Sequence, residues 1–220
     1  MTHALLFDLD GTLLQSDPLH FAVFRDMMAE RGRAIDLAFY ETHIHGRHNL
    51  DSFPELFPGE DAQALSELKE RLFRERLEGG HPPMPGAPAL LDRAEDAGWA
   101  VAVVTNAPRV NAEHMLAAIG LRARFDTLVI GDECARGKPD PAPYLAAMAA
   151  LEVGPERCIA FEDSGSGLRA ARAAGAYTVG LRSTGDDAGL RAEGAQVTIA
   201  DFNDPALTEI LRRFDREALT

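Results

Sequence analysis

Residues Leu5 to Leu14 read LLFDLDGTLL. As far as Leu9 the run has the pattern of a short strand buried on both faces. Yet Asp8 and Asp10 stand at its end, with Gly11 and Thr12 directly behind. An isolated ionised carboxylate in an apolar interior is so unfavourable that it finds a counter-charge or neutralises. The rest of the chain must therefore provide that counter-charge or bind it.

The 220 residues are 46% hydrophobic and 26% charged, enough for a packed core in one domain or two modest ones. No apolar run approaches the ~18 to 20 residues of a membrane-spanning helix. The opening MTHALLFDLD has no basic leader and its apolar run is interrupted by acids, so no secretory signal is expected. Cys134 and Cys158 lack CxxC spacing, which implies neither a disulfide framework nor a zinc site. A soluble, cytoplasmic protein is the expectation, with its oligomeric state open and a monomer sufficient. Lys and Arg number 22 against 35 Asp and Glu, a formal charge of -13. That balance repels nucleic acid and leaves no basic stripe for phosphates or a membrane surface. A small anionic ligand would need local cations to overcome the global field.

Outward from the first strand, short β-like runs alternate with helical patterns from about residue 86. The strands expected are Ala100–Val104, Thr127–Ile130, Cys158–Phe161, Tyr177–Leu181 and Gln196–Ile199. Ala112, Met115, Leu116 and Ile119 line one helix face ahead of Gly120. Tyr144, Leu145, Met148 and Leu151 do so ahead of Gly154, and Leu207, Ile210, Leu211 and Phe214 near the C-terminus. Strand-helix alternation with Val/Ile/Ala runs predicts an α/β fold, a Rossmann-like parallel sheet with helices on both faces.

The interval from Pro18 to Pro82 breaks this rhythm. Leu19, Val23 and Met27 repeat at helical spacing, as do Leu65, Leu68 and Leu72, and no convincing strand lies between. The spacing predicts an inserted all-helical cap domain at 17–82, with PPMPGAP (Pro82–Pro88) as its return, and an α/β core from 1–16 and 83–220.

In parallel sheets ligands bind at the carboxyl ends of the strands. Four such ends carry polar groups in this chain: Asp8 and Asp10; Thr105 and Asn106; Lys138, in GKPDP beyond the third strand; and Glu162 and Asp163, before SGSG. Taken singly these are ordinary features, a DG turn, a helix cap, a solvated loop. Aligned along one rim they describe a divalent-cation and phosphate site. Asp8 and Asp163, with a backbone carbonyl and waters, suit Mg²⁺, which is the missing counter-charge. Lys138 and the donors of Thr105 and Asn106, read as a helix N-terminus, suit a phosphoryl group. One aspartate would attack phosphorus and the other shuttle a proton.

The ordered set DLDGT, VVTN, GKPDP and FEDSGSG resembles the haloacid-dehalogenase-like hydrolase superfamily, in the branch with a helical cap after the first strand. The resemblance implies Asp8 as nucleophile and Asp10 as general acid/base, with Thr105 and Lys138 steadying the phosphoryl group. It also implies Mg²⁺ on Asp8, the Asp10 carbonyl and Asp163, helped by Glu162 through water. Dehalogenases of the superfamily lack the second aspartate, and phosphonatases carry a small residue there. QSDPLH (Gln15–His20) and GKPDP are similar to β-phosphoglucomutase-like and sugar-phosphate phosphatase members, whose cap supplies substrate contacts. Candidates here are His20, Arg47 and Asn49, although Arg47 follows Gly46 directly where the mutase pattern places its arginine a few residues on.

The expected function is a Mg²⁺-dependent phosphatase acting on a small phosphomonoester, a sugar phosphate or similar metabolite, through an aspartyl-phosphate on Asp8. A β-phosphoglucomutase-like phosphomutase is the alternative. A phospho-acceptor signalling module ranks third, because receivers lack the helical insertion and have no use for Asp10.

Overall fold

A computed structural model of the protein describes residues 2–217. The strands are β1 (Ala4–Phe7), β2 (Ala100–Thr105), β3 (Thr127–Ile130), β4 (Cys158–Glu162), β5 (Tyr177–Leu181) and β6 (Val197–Ile199). They form one parallel sheet in the order β3-β2-β1-β4-β5-β6. Two compact units emerge, residues 2–15 with 80–217, and residues 16–79. The first holds the sheet with helices α5 (Ala87–Asp96), α6 (Arg109–Ala118), α7 (Ala142–Leu151), α8 (Gly165–Ala173), α9 (Asp187–Ala192) and α10 (Pro205–Glu217). The second holds α1 (Asp17–Ala29), α2 (Leu37–His43), α3 (Asn49–Leu56) and α4 (Ala62–Leu77).

β1 is central, paired with β2 on one side and β4 on the other, and all four of its residues are buried. Successive side chains point to opposite faces of a strand. Leu6 joins Ala102, Val104 and Ala160 in a cluster with Tyr144, Ala147 and Met148 of α7 and Ala170 and Ala171 of α8. Phe7 faces the other way, stacked on Phe161 at 5.0 Å and edge-on to Phe125 and Phe202. Each such side chain contributes about 1.5–3 kcal/mol by leaving water. This two-sided burial leaves only the strand tips for polar chemistry.

The strand stops at Phe7, two residues earlier than the apolar run predicts. Leu9 is still buried, but its carbonyl accepts from the backbone N–H groups of Thr12, Leu13 and Leu14, so the chain has already turned. Leu13 and Leu14 are buried too. The apolar pattern thus marks burial through Leu14 but not the backbone conformation. Helix α7 ends at Leu151, the last residue of its apolar spacing, and Glu152 caps it with a left-handed φ of 56°. PPMPG folds with the sheet unit, Met84 N–H donating to the Leu13 carbonyl at 2.8 Å and Pro85 accepting from Phe202 N–H at 3.0 Å.

In the helical unit Asp36 and Asp61 cap α2 and α4 through the N–H groups of Phe39, Gln63 and Ala64. Helix α4 packs against α1 and α3. Its buried stripe is Leu65, Lys69, Phe73 and Leu77, at four-residue spacing. Among the described residues no helix is long and apolar enough to cross a membrane.

Candidate active site

Because β1 is flanked by β2 and β4, the chain order reverses at the centre of the sheet, the place where open α/β sheets bind ligands. Register puts Phe7 level with Val103 and Phe161. One residue further on, Asp8 therefore stands beside Val104 and Glu162, and its N–H donates to the Phe161 carbonyl at 3.0 Å. The loop beyond β3 brings Lys138 to the same point. Its ammonium donates to Asp8 Oδ1 at 2.5 Å, Glu162 Oε1 at 2.6 Å and the Val104 carbonyl at 2.6 Å. An ammonium has three protons, and all three are engaged.

Glu162 is wholly buried and accepts three side-chain donors, Lys138 and Tyr144 on Oε1 and Ser164 on Oε2. It lies against Gly167, where a Cβ would come within 1.9 Å of the Glu162 carboxyl carbon. The N-terminus of α8, capped by Ser164 through the Gly167 N–H, adds a favourable dipole. Asp163 lies against Gly11, whose φ is 70°; a Cβ there would sit 2.0 Å from Asp163 Oδ2. The hollow at Gly11 thus seats a carboxylate beside the Asp10–Gly11 backbone. Thr184 holds that carboxylate from the far side, its hydroxyl donating to Oδ2 at 2.9 Å and to the Asp163 carbonyl at 3.0 Å. Ser183 donates to the Gly11 carbonyl at 2.6 Å.

Asp8, Glu162 and Asp163 offer carboxylate oxygens within 4.8 Å of one another, each residue under 10% exposed. Burial, above all, pushes the Asp8 carboxyl well above the usual carboxylate range. Lys138 pulls it down, and the Glu162 and Asp163 charges push it further up. Burial alone would lower the Lys138 ammonium, but the Asp8 and Glu162 charges outweigh this and hold it up. Three carboxylates against one ammonium leave a formal excess of two negative charges. A hard dication with oxygen ligands matches both the donor set and the charge, so the residues present fit Mg²⁺. The Gly11 hollow supports the same fit, because it seats the Asp163 carboxylate against the loop that carries Asp10.

The remaining rim residues are Thr105 and Asn106. Thr105 is buried at the end of β2 and its hydroxyl accepts from Ala107 N–H at 3.0 Å. Their spacing predicts both at a helix N-terminus, but the helix begins only beyond them. Pro108 is the N-cap of α6, and proline disfavours helical backbone at the residue before it, so the helix starts only at Arg109. The Asn106 amide bonds the Lys138 backbone at both ends.

The structure brings together Asp8, Thr105, Asn106, Lys138, Glu162 and Asp163, with half-buried Asp10 in the loop between Asp8 and Gly11. His20, Arg47 and Asn49 belong to the helical unit. His20 stacks on Phe73 with ring centres 4.1 Å apart. Arg47 is tied to Glu55 at 2.9 Å and to the His43 carbonyl at 3.2 Å. Asn49 donates to Glu70, which also pairs with buried Lys69. Sequence reasoning missed Tyr144, taken as a plain core residue; a tyrosine on an otherwise apolar stripe was its signal. It missed Ser183 and Thr184 because the carboxyl end of β5 was not read with the other strand tips.

A model described as haloacid dehalogenase-like hydrolase matches residues 2–175. A phosphorylated carbohydrates phosphatase of Thermotoga maritima is 32% identical over 179 residues, covering 78% of this chain and 81% of the relative. A phosphoglycolate phosphatase of Xylella fastidiosa is 39% identical over 178 residues, with 78% and 76% covered. Among solved structures, CbbY from Rhodobacter sphaeroides in complex with phosphate superposes with a TM-score of 0.78 at 29% identity, over 92% of this chain and 95% of that one. A family IA hydrolase from Entamoeba histolytica reaches 0.82 at 29%, over 92% and 94%. With the model matching from β1 almost to β5, and the paired acids, the lysine and the Glu-Asp pair converging on one sheet rim, the chain belongs to the haloacid dehalogenase-like hydrolases.

Proposed function

We propose that this phosphoric monoester hydrolase releases phosphate from a small phosphorylated metabolite, a sugar phosphate or a short phosphorylated acid, through an aspartyl-phosphate on Asp8. The observation carrying this reading is Lys138 bridging Asp8 and Glu162 inside a buried acidic cluster at the switch point of the sheet. The phosphatases of Thermotoga and Xylella, named for phosphorylated carbohydrates and phosphoglycolate, support the substrate class.

Asp8 presents a carboxylate oxygen to phosphorus; an oxygen–phosphorus bond forms as the ester oxygen leaves. Asp10 donates a proton to that oxygen, then removes one from the water that attacks the aspartyl-phosphate and frees Asp8. Lys138 favours the ionised form of Asp8; the Thr105 hydroxyl donates to a phosphoryl oxygen, and the Lys138 ammonium, its three protons engaged, contributes its charge. Asp8, Asp163 and the Asp10 carbonyl would hold Mg²⁺, with Glu162 beside them; when bound it neutralises charge on the phosphoryl group and on the cluster. Residues 16–79 act as the cap in this reading, with His20, Arg47 and Asn49 as candidate substrate contacts. The excess negative charge of the chain then disfavours polyanions, while a dication on the cluster would offset its two excess negative charges and admit a small metal-chelated phosphate.

The test is phosphate release from a panel of sugar phosphates, phosphoglycolate and p-nitrophenyl phosphate, by wild type and Asp8→Asn. Release that needs Mg²⁺ and vanishes in Asp8→Asn, with an unchanged melting curve, is the expected result. Near wild-type release by the variant would remove Asp8 as nucleophile. Conversion of β-glucose 1-phosphate to glucose 6-phosphate without free phosphate would replace hydrolysis by mutase chemistry.

A further inference from the structure

The side chain of Asn106 sits at the phosphate rim, but both ends of its amide are committed elsewhere. Nδ2 donates to the Lys138 carbonyl at 3.1 Å, and Oδ1 accepts from the Lys138 N–H at 3.0 Å. One amide thus satisfies both backbone groups of a residue 32 positions away. It is seated between two glycines. A Cβ on Gly131 would lie 2.1 Å from Asn106 Oδ1, and one on Gly137 2.9 Å from the same atom. Neither glycine has the left-handed backbone that would itself exclude a side chain. What both positions lack is room.

Resting on the function proposed above, we infer that Asn106 is a positioning residue that acts on the phosphoryl site through Lys138. Nδ2 carries a second proton, so the double-mutant cycle below has to separate a direct contact to phosphate from the clamp on Lys138. The two hydrogen bonds of the amide fix the Lys138 main chain while Asp8, Glu162 and the Val104 carbonyl fix its ammonium. The lysine is thereby held at both ends before substrate arrives, and misplacement of such a group by about 1 Å costs about a hundredfold in rate. Gly131 and Gly137 belong to the same device, as the space in which the amide lies.

A double-mutant cycle decides the point, using Asn106→Ala, Lys138→Met and the pair. It is closed on kcat/KM with p-nitrophenyl phosphate, and on calorimetric affinity for inorganic phosphate with Mg²⁺, which needs no turnover. Asn106→Ala should lower kcat/KM by roughly 10- to 100-fold and have under about a twofold effect once Lys138 is Met. Gly131→Ala should reproduce the Asn106→Ala loss and Gly137→Ala should show a smaller one, following the 2.1 and 2.9 Å approaches. Equal factors for Asn106→Ala in both backgrounds would make Asn106 an independent phosphate ligand and overturn the inference. So would unchanged activity in the single variant. Should Asn106→Ala not fold, the two glycine variants carry the comparison, and the reverse order between them refutes it. If wild type releases no phosphate from any ester, the function proposed above fails instead. Amide hydrogen exchange at Lys138 still reads the clamp then: faster exchange in Asn106→Ala supports it, and an unchanged rate refutes it.

Discussion

Tyr144→Phe removes one atom from the centre of the molecule and leaves the ring in place. The hydroxyl is wholly buried and donates to Glu162 Oε1 at 2.6 Å. Burial first, and the Glu162 charge next, hold the phenol well above its ordinary pKa, so it stays a donor throughout about pH 6 to 9. Phenylalanine keeps the apolar contacts and the ring face 5.3 Å from the Lys138 ammonium, so the packing contribution is nearly unchanged. What is lost is a hydrogen bond to a buried carboxylate, about 1.5–3 kcal/mol. Glu162 keeps Lys138 at 2.6 Å and Ser164 at 3.2 Å, so the cost belongs at the lower end of that range. For a chain of this size about 1.5 kcal/mol is roughly 3 to 6 °C in Tm. Calorimetric melts at three pH values within that window measure it, and the loss should be the same at each. A shift below about 1 °C, or one confined to the alkaline end, would show that the hydroxyl is not a constant donor to Glu162.

Gly11→Ala should be the most damaging single-methyl change at the rim, because its Cβ would fall 2.0 Å from Asp163 Oδ2 at a φ of 70°. Phosphate release at saturating Mg²⁺ should fall at least about tenfold, and the Mg²⁺ concentration for half-activity should rise; unchanged metal response would separate Asp163 from the metal. EDTA should abolish phosphate release and added Mg²⁺ restore it, whereas activity indifferent to chelation would contradict the dication. Asp204 accepts from the N–H groups of Ala200 and Ala206, which with Arg182 hold its carboxyl below the ordinary 3.8. Its charge therefore stabilises the fold above about pH 4 and ceases to as pH drops through the depressed folded value. Asp204→Ala should cost about 1 kcal/mol in urea unfolding at pH 7 and distinctly less near pH 3; equal losses at both would refute the linkage.

The sheet was legible because its strands are buried on both faces, which writes Val, Ile and Ala in short unbroken runs between helical patterns. The rim was legible for the opposite reason. Two strand tips end in paired acids, and a hydroxyl with an amide and a lysine follow two others, a recurrence that no single turn or cap explains. Illegible positions share another character, that their partners are backbone or are distant in sequence. Asn106 reads as a helix cap until its amide is seen on the Lys138 main chain. Nothing in the sequence marks Gly131, Gly137 and Gly167, although each lies where a Cβ would collide with a functional side chain. Spacing alone does not decide where Lys69 of α4 points; it is buried near Phe24 and Phe73 with Glu70 at 2.9 Å. Composition signals exposure only on average, and a single lysine paired inside a small helical unit escapes that average.

The acidic rim also explains why glycines crowd it. A buried carboxylate must be approached by donors and cations from several directions at once. Each β-carbon nearby takes a volume that one of those groups needs. Gly11 leaves space for Asp163 and Gly167 for Glu162, while Gly131 and Gly137 leave it for the amide behind Lys138. Asp163 and Glu162 therefore each have a hollow on the flank, and their geometry is set by absent side chains as much as by present ones. At Gly131, Gly137 and Gly167, whose backbone lies outside the left-handed region, alanine in an open setting would be tolerated or favourable. Here it should move a charge, and the sign of its effect on activity separates a functional rim from a merely tight turn.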